Sequence, residues 1–219
     1  MMRLMNTEHT LLTRQLTILT IFTIVGFAFR FLPYWKEEYQ GWLMCIWGMN
    51  AVLPLFMVSV SKCRSPFWGY ALPLLGFIVS DLIIQWILTA KGLETSSIRG
   101  RLVTYSLFLV LGQLGLVLKH LKLPKWENVL AGVGLTLLGS ILFFLISNGM
   151  VWLKSTPSDG LYFYPPTWAG LLHCYEMAIP FFRNQFLGDA VFSFAFFTAY
   201  LLLEQKYLVK VEKPAAVAM

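Results

Sequence analysis

Charge is what this sequence has least of. Asp, Glu, Lys and Arg make up 13% of its 219 residues, against about 25% in an ordinary soluble domain. A soluble chain of this size needs a charged shell, so a cytosolic globular enzyme and a disordered tail are both excluded. Cysteine is also scarce. Cys45, Cys63 and Cys174 are odd in number, far apart and without a CxxC spacing. That excludes a secreted disulfide scaffold and gives no zinc motif. HExxH, GxSxG and phosphate-loop patterns are missing too. His9, His120 and His173 are scattered. Haem ligation needs two histidines at matched depth, but His9 lies in the terminal segment and His120 in a predicted loop. The sequence therefore predicts no catalytic residue, no metal and no cofactor.

Apolar residues are abundant, at 58% of the chain, against roughly 45–50% for soluble domains. Mean hydropathy is +0.67. These values predict an all-α, polytopic membrane protein, because long apolar runs are stable where lipid is the solvent. The net charge of +6 does not point to nucleic acid. Its Lys and Arg lie between apolar runs, where they set topology and meet anionic head groups.

Spanning about 30 Å of hydrocarbon takes about 20 helical residues. Six segments approach that length: Gln15–Leu32, Trp42–Val60, Trp68–Leu88, Leu102–Leu118, Val129–Ile146 and Asp189–Leu203, the last with a start as early as Arg183. Residues 1–14 read as a cytoplasmic N-terminal segment, 15–205 as a six-helix membrane domain and 206–219 as a cytoplasmic tail. No small-x-small cleavage site follows the first span, so it is expected to be retained. With the N-terminus inside, ten Lys and Arg fall on the inner side and seven on the outer. This predicts a multi-pass inner-membrane protein with both termini cytoplasmic.

The stretch from Gly149 to Leu187 is too polar for a span and too apolar for a plain loop. It carries the turn Thr156-Pro157-Ser158-Asp159-Gly160, then Pro165-Pro166. A short amphipathic helix is expected over Thr167–Ala178, with Trp168, Leu171, Leu172 and Tyr175 on one face and Pro180 as its stop. Together these residues read as an outer-face lid or re-entrant element.

Ionisable residues inside spans are functional candidates by default. Asp81 lies mid-span beside Ser80, with Gln85 one turn on. It is read either as a ligand contact lining a cavity or as an interhelical anchor paired with Arg30 or Arg183. Asn50 precedes Pro54, at either a kink or a cavity edge. Asn148-Gly149 has the form of a helix C-cap. Gly132, Thr136 and Ser140 give the fifth span a small face. That face suits close helix packing, with Gly112-Gln113-Leu114-Gly115 as its expected partner, or docking of another subunit. His173 and Glu176 are one turn apart but lack a third ligand and a nucleophile.

Taken together, the motifs Arg30-Phe31-Leu32-Pro33, Asn50-Ala51-Val52-Leu53-Pro54, Ser80-Asp81-Leu82, Phe143-Phe144-Leu145-Ile146-Ser147-Asn148 with Val151-Trp152, Gly170-Leu171-Leu172-His173-Cys174-Tyr175, Ile179-Pro180-Phe181-Phe182 and Gly188-Asp189 occur in that order. The pattern resembles an uncharacterised family of bacterial integral membrane proteins described as candidate transport proteins. That family is in turn similar to the substrate-binding S components of energy-coupling factor (ECF) transporters. The resemblance covers roughly residues 30–203. It implies a six-helix fold enclosing a small metabolite, docked on a transmembrane coupling subunit with ATPase subunits. The matching positions are Arg30, Asn50, Ser80, Asp81, Asn148, Trp152, Tyr175, Asn184 and Asp189, with Arg183 adjacent. S components usually carry paired alanines four apart in the first helix, whereas this one has Gly26 and Ala28, two apart.

The leading expectation is a small-molecule transport component in the lipid bilayer. Its unknown organic solute would meet Asp81, Asn50, Asn148, Arg30, Ser80, Trp152, Tyr175 and Arg183. The alternative is a structural scaffold that binds protein partners through small-residue helix faces. An intramembrane enzyme using His173 and Glu176 ranks last.

Overall fold

A computed structural model describes residues 2–34, 49–93, 95, 97–121 and 123–208. Among these residues the chain is helical throughout, with no strand. The helices are α1 (Met2–Phe31), α2 (Val52–Lys62), α3 (Pro66–Ala90), α4 (Ile98–Gly112), α5 (Leu114–His120), α6 (Lys125–Lys154) and α7 (Trp168–Leu203). Five helical segments are long and apolar enough to cross a membrane: α1 from Glu8, α3, α4 with α5, α6, and α7 with the turn after it. Their outer faces are apolar as well. Ile24, Trp86, Leu130 and Leu153 are 65%, 72%, 63% and 72% exposed, a surface that suits lipid and not water.

Helix α2 is the exception that organises the bundle. It has 11 residues, short of a span, and every residue from Val52 to Ser61 is buried. A helix that is apolar all round belongs in an interior, and α2 packs on α1, α3, α4, α5, α6 and α7. The predicted second span, Trp42–Val60, is thus realised only in its second half; residues 42–48 lie outside those described. Pro54 falls in the first turn of α2, where its missing N–H breaks no intrahelical bond, so it makes no mid-span kink.

Close approach to α2 explains two glycines. A Cβ at Gly112 would sit 3.1 Å from the Phe56 side chain, and one at Gly115 would sit 2.9 Å from the Met57 carbonyl. The predicted fourth span is broken between them into α4 and α5. Gln113 N–H bonds the Val110 carbonyl at 3.1 Å, a tightened turn at the break.

Two predicted boundaries are corrected. Asn148-Gly149 does not cap α6, which runs 30 residues to Lys154. Asn148 Nδ2 instead donates back to the Phe144 carbonyl at 2.8 Å, and the apolar Val151-Trp152-Leu153 continues the helix. Nor does Pro180 stop a short lid helix. Thr167 caps α7 by accepting from Gly170 N–H at 3.1 Å, and α7 then continues for 36 residues through Pro180. An internal proline costs about 3 kcal/mol or more, and here α7 is held by its extended packing along α6. The predicted lid is therefore no separate element. Residues 149–154 belong to α6, 168–187 to α7, and residues 155–167 connect them.

The small face of α6 is used inside the chain. Thr136 and Ser140 are fully buried, and a Cβ on Gly132 would lie 2.7 Å from the Phe197 ring of α7. The main partner of this face is α7; the Gly112–Gly115 segment lies mostly on α2 and reaches α6 through Leu114, beside Gly139. No room remains there for a second protein.

At the end of the bundle where α2 turns into α3, a polar knot joins several elements. Gln15 Nε2 donates to the Lys62 carbonyl and to Tyr200 Oη, both at 3.2 Å, while Gln15 Oε1 accepts from Arg64 N–H at 3.1 Å. Lys119 Nζ donates to the Cys63 carbonyl at 2.8 Å, and Lys62 reaches Asn128 Oδ1. Burial pushes the Cys63 thiol above its usual range, with a backbone hydrogen bond and Lys119 opposing it. Beside the knot, Arg14 Nη1 donates to the Tyr207 carbonyl at 2.6 Å, so the beginning and end of the described chain share one end of the bundle.

Candidate functional site

The second polar region lies higher in the bundle, between α1, α3 and α4. Arg30 is in the last turn of α1. Its Nη1 donates to Ser80 Oγ at 2.5 Å and to the Phe77 carbonyl at 3.4 Å, and its Nη2 stands 3.6 Å from Asp81 Oδ1. The guanidinium also sits 4.6 Å from the centre of the Phe77 ring, within cation–π range. Ser80 and Asp81 face inward because α3 turns its Phe77, Ser80, Asp81, Ile84 stripe to the bundle, at helical spacing. Asp81 lies about 14 Å along α3 from its end at Ala90, so this cluster sits well within the helix and not at its tip.

Helix α4 closes the site. Tyr105 Oη donates to Asp81 Oδ2 at 2.6 Å, and Arg101 Nη1 is 3.9 Å from the same oxygen. Asp81 therefore accepts one short hydrogen bond and shares its charge between two arginines at longer range. Arg101 Nε is buried with no hydrogen-bond partner among the described residues. Tyr34, just past α1, feels the same charges. Burial raises its hydroxyl above the usual range, with Arg30 opposing and Asp81 reinforcing.

A partly open cavity of about 180 Å³ adjoins this cluster, lined by Arg30, Asn50, Val52, Phe77, Thr104, Phe108, Phe143 and Gln185. Its wall is an aromatic stack. Phe108 meets Phe77 edge-on at 5.2 Å and lies flat on Phe143 at 4.8 Å. Asn50 stands at the mouth of α2, where its Oδ1 accepts from Val52 N–H at 3.1 Å. Gln185 Nε2 is buried with no hydrogen-bond partner among the described residues, and one turn on lies Asp189, a fully buried carboxyl whose Oδ2 accepts from Ser140 Oγ at 2.6 Å.

Of the eight predicted site residues, the structure gathers four. Arg30 and Asn50 line the cavity; Ser80 and Asp81 stand behind Arg30 and hold it. Asp81 is the anchor to Arg30 of the second sequence reading, and its ion pairs run to Arg30 and Arg101. The other four lie elsewhere. Trp152 Nε1 donates to the Pro165 carbonyl and Tyr175 Oη to the Leu145 carbonyl, each at 2.8 Å, and Asn148 accepts on its carbonyl from Cys174 Sγ. These three fasten the α6–α7 hairpin. Arg183 is exposed on α7. His173 and Glu176 are 3.7 Å apart, but both side chains are more than half exposed, away from any enclosed site.

Sequence reasoning missed Arg101, Tyr105, Thr104 and Gln185. Arg101 falls just before the predicted span Leu102–Leu118, yet Arg101 and Tyr105 are one helical turn apart, a spacing that puts both on one face. Gln185 bears the same relation to Asp189.

A family match extends over residues 10–215, nearly the whole chain. The chain belongs to DUF6580, a family of unknown function. No curated protein and no solved structure matches it. For this member of DUF6580 the site above is thus the primary guide to activity.

Proposed function

We propose that this DUF6580 protein is a small-solute binding component of a membrane transport system, with the cavity beside Arg30 as its binding site. One observation carries the reading. A bundle whose outer faces are apolar contains a cavity that presents a guanidinium, two side-chain amides and a hydroxyl against an aromatic wall. Small-molecule sites have this composition: a mostly apolar lining with a few polar groups that orient the ligand. Polar groups inside apolar bundles are costly and are functional candidates by default.

In this reading the protein sits in the inner membrane with both ends of the chain on the cytoplasmic side. The Arg14–Tyr207 bond and the bias of Lys and Arg support that placement. No ATP-binding motif occurs in the sequence, so any ATP-driven step belongs to partner subunits, as the likeness to S components implies. For docking of the S-component kind, α1 offers Ala28 on its exposed face but not Gly26. Gly26 faces inward, where a Cβ would come within 2.9 Å of Leu55.

Thr104→Phe tests the reading, because Thr104 lines the cavity and bonds only within its own helix among the described residues. Protein purified in mild detergent is denatured and extracted, and small molecules are quantified. A stoichiometric solute in wild type, lost in a folded Thr104→Phe variant, is the expected result. Equal recovery from both, or none from either, would remove the cavity as the binding site.

A further inference from the structure

We infer that the solute is a small organic monoanion, a carboxylate on an apolar body, held through Arg30. This rests on the reading of the cavity as a solute site and gives that solute its charge.

The inference comes from charge balance. Two guanidiniums, Arg30 and Arg101, converge on one carboxylate, Asp81. Neither is in close contact with it, at 3.6 and 3.9 Å, and the short bond to Asp81 comes from the uncharged Tyr105 hydroxyl. Arg101 Nε has no partner among the described residues. One positive charge therefore lacks a counter-ion among the described residues of a largely buried cluster. Excess charge in such a setting is costly unless a partner neutralises it. Of the two arginines, Arg30 lines the cavity. A carboxylate placed there would balance the cluster, and the planar fork of arginine matches its two oxygens.

Size and lining narrow the class. The cavity of about 180 Å³ holds roughly six waters' worth of liquid volume. Phe77, Phe108 and Phe143 offer ring faces to an apolar body, while Asn50, Thr104 and Gln185 supply a few hydrogen-bonding groups. A doubly charged phosphate would overshoot the single excess charge and gain little from the aromatic wall. A cation would meet Arg30 first and be repelled.

The test is a matched series. Acetate, butyrate, benzoate and phenylacetate, each with its amide and its amine, are titrated against the detergent-purified full chain, and binding is read from the shift in unfolding temperature. At least one acid should bind about tenfold or more tightly than its amide, the margin expected of a charge-assisted hydrogen bond. Arg30→Gln should erase that margin. Asp81→Asn, which keeps the shape but removes the one negative charge, should preserve or widen it. Arg30→Lys guards against a folding artefact, since it keeps the charge without the fork and should retain part of the margin.

Preference for an amide or an amine overturns the anion while leaving the cavity reading intact. A wild type that ignores all three classes overturns both. Recovery of a phospholipid in place of a small acid overturns the solute assignment. So does an acid preference that appears only in a Glu37→Gln, Glu38→Gln double variant, since those carboxylates would then be the missing counter-charge.

Discussion

Two polar regions tie this bundle together, and they are built differently. The knot around Gln15 and Lys62 is closely bonded: an amide, a phenol and two lysines each meet an acceptor or donor, and the Arg64–Glu8 ion pair at its edge closes to 2.9 Å. Gln15 alone satisfies a carbonyl, a hydroxyl and an N–H. The cluster around Asp81 is charged, loosely paired and set against open space, with two arginines to one aspartate. A region that serves only the fold is expected to satisfy every buried polar group. A region that leaves charge unbalanced beside a cavity is arranged for something that is not part of the chain.

Substitutions can break or sharpen that contrast. The largest effect is expected from Asp81→Ala, which strands two largely buried guanidiniums. Removing one partner of a buried charge network costs about 3–5 kcal/mol, so the unfolding temperature of the detergent-solubilised protein should fall sharply. Gln15→Ala comes next. It strips Arg64 N–H of its acceptor and leaves Tyr200 Oη and the Lys62 carbonyl only their 3.5 Å contact with each other, at about 1–3 kcal/mol for each group that stays dry, with no effect on solute binding. The smallest effect is the most telling. Arg101→Gln removes a cation, yet it leaves Arg30 and Asp81 as a balanced pair. Apo stability should hold or rise, because an excess cation in a largely buried cluster is costly, and the same melts read it. A loss as large as that for Gln15→Ala would mean that the Asp81 cluster is a structural knot like the other.

Much of this was legible in the residues. Apolar runs and the scarcity of charge announced a helical bundle with membrane-spanning lengths. Asp81, Ser80, Arg30 and Asn50 stood out because polar groups in apolar runs are expensive. Three features were not legible, each for a physical reason. Helix α2 is apolar on all faces, so its pattern cannot distinguish burial in protein from exposure to lipid. Pro180 and Asn148-Gly149 carry strong local stop signals, which the long packing of α6 on α7 overrides. Arg101 sits three residues into α4, where sequence alone cannot tell a loop cation from one that reaches inward.

The central claim is that the cavity at Arg30 is accessible and positive. It is tested most directly at Asn50, which lines the cavity. Asn50→Cys is made in a chain with Cys45, Cys63 and Cys174 replaced by alanine. Its modification rate is measured with two methanethiosulfonate reagents, one bearing a sulfonate and one a trimethylammonium. Each rate is normalised to that on a small free thiol. The account predicts that the sulfonate reagent reacts several-fold faster and that Arg30→Gln removes the difference. A faster trimethylammonium reaction, or a cysteine that neither reagent reaches, would contradict it.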